Sequence, residues 1–414
     1  MAADDSWVGR TLELEVGSVA HGGHCVARFG GDGGRVVFVR HTLPGERVRA
    51  RVTEDKGGSF CRADAVEVLT ASPDRVPQPC PHAGPAKCGG CDWQHASPAA
   101  QRELKAVVVR EQLQRLAGLD VPVVVEELPG GSLGWRTRTQ YAVGPDGAVG
   151  LRRHRSHQLE MLTHCPLGAP GVGDAPELAQ SWPGLGELDI ALGADDERSV
   201  VGRAPDPRDR RRGRSAQRVQ WRPISGPHEL THRVDGIDHR VAATGFWQVH
   251  PEMAGTLVGL VRESLQPRPG DRVLDLFAGA GLFTAALAHD VGETGSVLGV
   301  EGDRGGVRDA TATLAEMPWA QVRHGRIDAE AVADLGPADL VVLDPPRAGA
   351  GVDVIRAILG LRPRTVCYVA CDPAALARDL RACLEAGWRL ASLRALDAFP
   401  MTHHVECVAT LQPV

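Results

Sequence analysis

Over the first seventy residues, apolar and polar positions alternate with a period of two. Leu12-Glu13-Leu14-Glu15-Val16 shows this, and Val36-Val37-Phe38-Val39 and Arg47-Val48-Arg49-Ala50-Arg51-Val52 supply further short strands. Gly22-Gly23, Gly30-Gly31 and Gly33-Gly34 punctuate them. Short strands with glycine corners predict a β-barrel of OB type over residues 1–70. Residues 73–95 are rich in Pro, Gly and Cys and have no period. Helical spacing follows over 98–117 and stops before Gly118. Residues 121–245 read as short strands and loops, with Trp135–Tyr141 alternating as a half-exposed strand. Beyond residue 250 the pattern changes. Apolar runs at 272–276, 296–300, 339–343 and 365–370 alternate with helical segments, which predicts a parallel, doubly wound α/β sheet. Two final strands, Trp388–Leu396 and His404–Leu411, are joined by a loop too short for a parallel crossover, so they are predicted to be antiparallel neighbours. The chain thus divides into a barrel (1–70), a small mixed α+β central domain (71–245) and an α/β domain (246–414).

Composition bounds the function. The 414 residues carry a net charge of -6, so nucleic-acid binding has to come from local patches. Arg203–Arg218 is one candidate, with seven arginines among Pro, Gly and Ser; a solvated loop and a phosphate-contacting loop are both open. No apolar run is long enough to span a bilayer, and the first ten residues lack a signal-peptide pattern. The protein is read as cytoplasmic, without membrane partners, and as a monomer because nothing requires a dimer. In that compartment the ten cysteines are not expected to form disulfides.

Val273-Leu274-Asp275-Leu276-Phe277-Ala278-Gly279-Ala280-Gly281 runs from a strand into a helix. Such a turn brings free N–H groups close to a ligand. The next strand ends at Glu301, 26 residues after Asp275, where an acid accepts hydrogen bonds from a ribose diol. A nicotinamide dehydrogenase uses similar parts, but its third glycine is missing here. The turn instead resembles the first motif of class I methyltransferases, which implies S-adenosylmethionine.

Three further residues fall at the same sheet edge. Asp344 ends the strand Leu340–Leu343 and begins Asp-Pro-Pro-Arg-Ala-Gly; a turn-capping role would also explain it. Cys371 ends the next strand, with Asp372 and Pro373 as N-cap and first-turn residues of a following helix. A helix N-terminus lowers a thiol pKa, yet from local context a buried and a reactive Cys371 are equally open. Glu406 opens the last strand, whose reversed direction brings it to this edge. A thiol, a base and a methyl donor together suit C5 of uracil. Thiolate addition at C6 makes C5 nucleophilic, and a base then removes the C5 proton.

Four cysteines have metal-ligand spacing: Cys80-x7-Cys88-x2-Cys91, with Cys165-Pro166 far downstream. Four thiolates suit tetrahedral zinc or a [4Fe-4S] cluster. Zinc ribbons usually pair two Cys-x2-Cys knuckles, whereas a terminal Cys-Pro is common in iron–sulfur sites.

These motifs resemble the RNA uracil-C5 methyltransferase family over nearly the whole chain. The resemblance implies an RNA-binding TRAM barrel, a class I (Rossmann-like) methyltransferase domain, and ribosomal or transfer RNA as the partner. Phe246-Trp247-Gln248-Val249 is similar to the motif that opens the catalytic domain, which implies that Gln248 binds the cofactor. Phe277 carries over as a cofactor contact, Glu301 as the ribose acid, and Asp344 as a residue for cofactor and uracil placement. Tyr368-Val369-Ala370-Cys371-Asp372-Pro373 resembles the nucleophile motif, and Phe399-Pro400-Met401-Thr402 to Glu406 the base motif. Leu282 and Asp372 stand where the family often has Asn, and Asp328 where it has an Asn on the adenine side. One branch of the family carries a [4Fe-4S] cluster, which implies Cys80, Cys88, Cys91 and Cys165 as its ligands. Two alternatives are a catalytically silent RNA-binding iron–sulfur protein and a cytosine-C5 methyltransferase; the latter would resemble a different nucleophile motif.

Overall fold

The alternating segment forms five strands: β1 (Thr11–Val19), β2 (Cys25–Phe29), β3 (Arg35–Arg40), β4 (Arg47–Glu54) and β5 (Phe60–Thr70). They close into a barrel in the order β1-β2-β3-β5-β4. Closure removes the unpaired edges that an open sheet would present. The inward positions, among them Leu12, Leu14, Val37, Val39, Val48 and Val52, fill the barrel. The structure is a computed structural model and describes residues 6–31, 33–205 and 219–414. Most of the arginine-rich stretch Arg203–Arg218 therefore lies outside the described residues.

Next come α1 (Pro98–Gln112), β6 (Val125–Glu127), β7 (Arg138–Val143), β8 (Val149–Arg152), β9 (Leu159–Met161), β10 (Glu187–Leu192), β11 (Arg198–Pro205), β12 (Val219–Ser225), β13 (Glu229–Val234) and β14 (Ile237–Ala242). The remainder comprises α2 (Met253–Leu265), β15 (Arg272–Leu276), α3 (Leu282–Val291), β16 (Ser296–Glu301), α4 (Arg304–Thr313), β17 (Ala320–His324), α5 (Ala329–Ala333), β18 (Leu340–Leu343), α6 (Val352–Gly360), β19 (Thr365–Ala370), α7 (Pro373–Glu385), β20 (Trp388–Asp397) and β21 (Glu406–Pro413). The chain forms two compact units. One comprises Met1–Val108, Gly150–Leu162 and Phe399–His404; the other comprises Val109–Val149, Thr163–Ala398 and Val405–Val414.

In the first unit the irregular segment after β5 is pinned by polar contacts. Arg75 grips the buried Glu46 carboxylate through Nε and Nη2 (2.6 and 2.7 Å). Trp93 enters the barrel core, and its indole N–H donates to the Gly23 carbonyl (3.1 Å). The loop Phe399–His404 is held by the same segment and by α1. The Asp92 and Trp93 N–H groups both donate to the Met401 carbonyl (2.9 and 3.1 Å). Met401 N–H donates to Gln101 Oε1 (2.7 Å), and Lys105 Nζ donates to the Phe399 carbonyl (3.0 Å).

In the second unit, β12, β11, β10 and β7 form an antiparallel sheet and β13–β14 a hairpin. Sequence spacing started the first of these strands at Trp135; the structure starts it at Arg138. Trp135 is buried and stacks on His250 (5.9 Å between centroids) rather than alternating in a ladder. The large sheet has the order β17-β16-β15-β18-β19-β21-β20-β6. Its first five strands are parallel, and β21 runs antiparallel to both β19 and β20. The four apolar runs thus become β15, β16, β18 and β19, as the pattern indicates. The last strand begins at Glu406 rather than His404, because the backbone before it is bonded to α1 and the Asp92–Trp93 segment. Strand β6 adds an edge that spacing does not reveal. It is three residues long and is held parallel to β20 by the Arg394–Glu126 ion pair.

Candidate active site

The glycine loop begins where β15 ends. Phe277 takes a left-handed backbone (φ 65°), as do Gly279 and Gly281. For a phenylalanine this is strained, and such strain gathers at functional sites. The N–H groups of Phe277 and Ala278 both donate to the Val300 carbonyl (3.0 and 3.1 Å), which fastens the loop to the end of β16. There Glu301 accepts from Gly279 N–H (Oε2, 2.8 Å) and Asp303 N–H (Oε1, 2.6 Å). A Cβ at Gly281 would lie 2.9 Å from that of Ala310, so the loop packs tightly against α4. Asp275 is fully buried beneath it and accepts from Thr284 Oγ1 (2.6 Å). Burial pushes its carboxyl up to about 7.

The second element is the loop that follows β18. Asp344 N–H donates to the Leu276 carbonyl (3.2 Å), setting Asp344 beside the end of β15. Burial and the Asp275 charge push the Asp344 carboxyl up to about 7. The far end of this loop is held by a residue that sequence reasoning missed. Asp379, on α7 and 3% exposed, accepts at Oδ2 from Tyr368 Oη (2.7 Å), Ala350 N–H (2.9 Å) and Gly351 N–H (3.2 Å). Gly349 lets the chain pass, since a Cβ there would meet that oxygen at 2.8 Å. An acid at helical spacing among apolar neighbours, below a loop of Pro and Gly, was the available signal. Replacing Asp379 with alanine removes the acceptor shared by three donors, of which Ala350 N–H keeps a second partner in Tyr368 Oη (3.1 Å). The expected cost is about 1–3 kcal/mol of stability, read by denaturant unfolding, with a fall in turnover as the loop loosens.

The third element is set by strand register. Antiparallel pairs run from Val366↔Leu411 to Ala370↔Cys407. One further step sets Cys371 opposite Glu406, which itself pairs with Leu396 on the other side. Glu406 is 5% exposed and Cys371 half-buried. The thiol is pushed up to about 11, first by burial, then by the charges of Glu406 and Asp344, with Arg347 opposing. This corrects the expected lowering by the helix N-terminus: burial and two carboxylates outweigh it. Glu406 is pushed well above the usual carboxylate range by burial and by Asp344. Asp372 is committed as the cap of α7, accepting from Ala375 N–H at 2.8 Å. Burial thus opposes ionisation of the thiol and of both carboxyls at this edge.

Other expected residues fall as follows. Gln248 lies in an irregular segment whose flanks are fixed: Trp247 stacks on His232 (4.6 Å) and the Val249 carbonyl accepts from Thr137 N–H (2.8 Å). Asp328 caps α5 through Ala331 N–H (3.0 Å). None of the ten cysteines forms a disulfide. Cys80 is buried, and Cys88, Cys91 and Cys165 are half-buried. Gly90 N–H points at Cys88 Sγ (3.4 Å) and Gln94 Nε2 at Cys91 Sγ (3.0 Å). Among the described residues no group of three or more His, Cys, Asp or Glu side chains is arranged to hold a metal ion. No helix of the described residues is long and apolar enough to cross a membrane.

A parallel sheet finished by two antiparallel strands, with a glycine loop at its centre, is the frame of a class I Rossmann-like methyltransferase domain; here it accompanies an OB-type barrel. Comparison with known proteins narrows the class. Residues 5–66 match the TRAM domain family, and residues 334–414 the tRNA (uracil-5-)-methyltransferase family. Residues 248–339 match the protein-L-isoaspartate(D-aspartate) O-methyltransferase family. An "uncharacterized RNA methyltransferase" of Streptomyces avermitilis is 48% identical over 98% of this chain and 99% of its own length. The 23S rRNA (uracil(1939)-C(5))-methyltransferase RlmD of Alkalilimnicola ehrlichii is 33% identical over 97% of this chain and 96% of its own. The Pyrococcus abyssi tRNA (uracil-54, C5)-methyltransferase, solved with S-adenosyl-L-homocysteine, shares the fold: TM-score 0.71 at 22% identity, covering 97% of this chain and 100% of that one. The chain belongs to the RNA uracil-C5 methyltransferase family.

Proposed function

We propose that this chain, a cytoplasmic monomer, transfers a methyl group from S-adenosylmethionine to C5 of a uridine in ribosomal or transfer RNA. The observation that supports this is the β19–β21 register: continued one step past Ala370↔Cys407, it sets a thiol opposite a buried carboxyl at the edge where the glycine loop opens. The loop fits the cofactor: left-handed turns bring backbone close to a ligand, and the Glu301 carboxylate ends the neighbouring strand. Gln248, Phe277, Glu301 and Asp344 would hold it. When bound, it supplies an electrophilic methyl group. Cys371, having lost its thiol proton to solvent, adds to C6; an S–C bond forms, the C5–C6 π pair moves to C5, and C5 takes up the methyl as the bond from that methyl to its donor sulfur breaks. Glu406 then accepts the C5 proton, the thiolate leaves, and the C5–C6 double bond returns. Incubation with labelled S-adenosylmethionine and unmodified RNA, then digestion to nucleosides, should yield 5-methyluridine. Label in 5-methylcytidine, or in no nucleoside, would defeat the proposal.

The same reading assigns Cys80, Cys88, Cys91 and Cys165 to a [4Fe-4S] cluster. Its support is the donor chemistry: four thiols, with N–H groups aimed at two of the sulfurs, as thiolate ligands require. A bound cluster would act as a structural clasp on the segment that holds Met401. Anaerobically purified protein should absorb broadly near ~400 nm, and Cys88→Ser should remove the band. Colourless protein that contains zinc instead would refute the assignment.

A further inference from the structure

A cavity of about 420 Å³ lies in the first unit, walled by β3, β4 and β5 of the barrel and by the turn joining β8 to β9. Its volume falls in the range of ligand pockets, roughly 300–1,000 Å³. Four guanidinium groups line it, from Arg40, Arg62, Arg153 and Arg155, against the two carboxylates of Glu54 and Asp64. Glu54 is already shared among Arg155 (2.8 Å), Lys56 (3.2 Å) and Arg62 (3.4 Å).

Arg40 is the decisive residue. It is 5% exposed, yet its Nη2 has no hydrogen-bond partner among the described residues. The Asp92 Oδ1 near it lies at 3.6 Å, beyond hydrogen-bond reach, and Oδ2 of that carboxylate serves His403 (2.6 Å). A buried guanidinium with an unused donor is costly unless an acceptor arrives. His24 adds a second unpartnered buried atom, Nε2. The His24 and His154 rings meet at 6.3 Å. Burial and then the neighbouring Arg40 hold both near about 4, as neutral rings. Arg153 is paired with Glu160 (3.1 Å), so the cavity combines one buried guanidinium donor without an acceptor with two flat, uncharged rings.

We propose that this cavity takes a nucleotide of the RNA strand other than the methylated uridine, its phosphate on Arg40, Arg62 and Arg155 and its base against His24 and His154. This rests on the reading of the protein as an RNA methyltransferase, so the test uses binding rather than methylation. The probe is a fluorescent single-stranded oligoribonucleotide without uridine, titrated into the full chain at several salt concentrations. The double variant Arg62→Ala, Arg155→Ala should bind it about tenfold more weakly, with the slope of log Kd against log salt reduced by about one to two. Its S-adenosylmethionine affinity and Tm should hold. Glu54→Gln should bind more tightly. Arg47→Ala, Arg49→Ala, two exposed arginines paired to Glu13 and Glu67 on the same barrel, is the control for general charge. An equal loss in that control, or an unchanged slope in the cavity variant, would overturn the proposal. So would displacement of the RNA by millimolar inorganic phosphate alone, which would mark a site for free anions. Failure of methyl transfer to uridine-containing RNA would instead count against the function and leave this binding result standing.

Discussion

Cys371→Ala is expected to abolish methyl transfer, with a fall of ~10⁴-fold or more in kcat, because it removes the thiol that the proposed mechanism bonds to C6. The substitution removes one half-buried sulfur, so the fold should persist. Cofactor affinity should persist too, since the glycine loop is built from β15, β16 and α4. Equilibrium binding of S-adenosylmethionine beside single-turnover methylation separates the two effects. A variant that still methylated RNA at a tenth of the normal rate would remove Cys371 from the mechanism. The pH dependence has a definite sign. In the proposed mechanism Cys371 reacts as thiolate and Glu406 accepts a proton as carboxylate, so both must be ionised. Burial pushes both upward, the thiol to about 11. Values of kcat/KM should therefore climb as pH rises from 6 to 9, and a flat or falling profile would contradict these roles.

Glu406→Gln should separate the two halves of the reaction. Addition of the thiolate and methyl transfer need no base at C5, but release does. Turnover should fall by about 10²–10⁴-fold, the usual contribution of a general base, while a covalent protein–RNA species accumulates. That species would survive denaturing electrophoresis and disappear in the Cys371→Ala, Glu406→Gln double variant. Glutamine keeps the volume of a side chain that is 5% exposed, so folding should be little affected. Equal loss of activity without any adduct would mean that Glu406 acts before the thiol attacks, or only holds the strand.

The α/β unit was legible because buried parallel strands are continuous apolar runs, and Asp275, Glu301, Asp344 and Cys371 sit at or just after the positions where those runs end. The placement of Glu406 followed from one further fact: seven residues cannot carry a parallel crossover. What was hidden depends on partners distant in sequence. Strand β6 is three residues long and is specified by Arg394, 268 positions away. Asp379 reads as an ordinary helix acid until three donors from two other segments converge on it. The Cys371 thiol was misjudged in sign, since local sequence reveals a helix N-terminus but not the depth of burial or the charge of Glu406 across the ladder. Asp372, conspicuous as a departure from the usual Asn, proved to be occupied as a cap.

The loop Phe399–His404 is bonded to Asp92, Trp93, Gln101 and Lys105, while the strands on either side of it belong to the catalytic sheet. That sheet also takes its outermost strand from residues 125–127. The catalytic part is therefore interleaved along the polypeptide rather than appended to it, and no single cut releases it whole. The turn finds its anchors three hundred positions upstream. Competence for chemistry is consequently shared between distant stretches of the polypeptide.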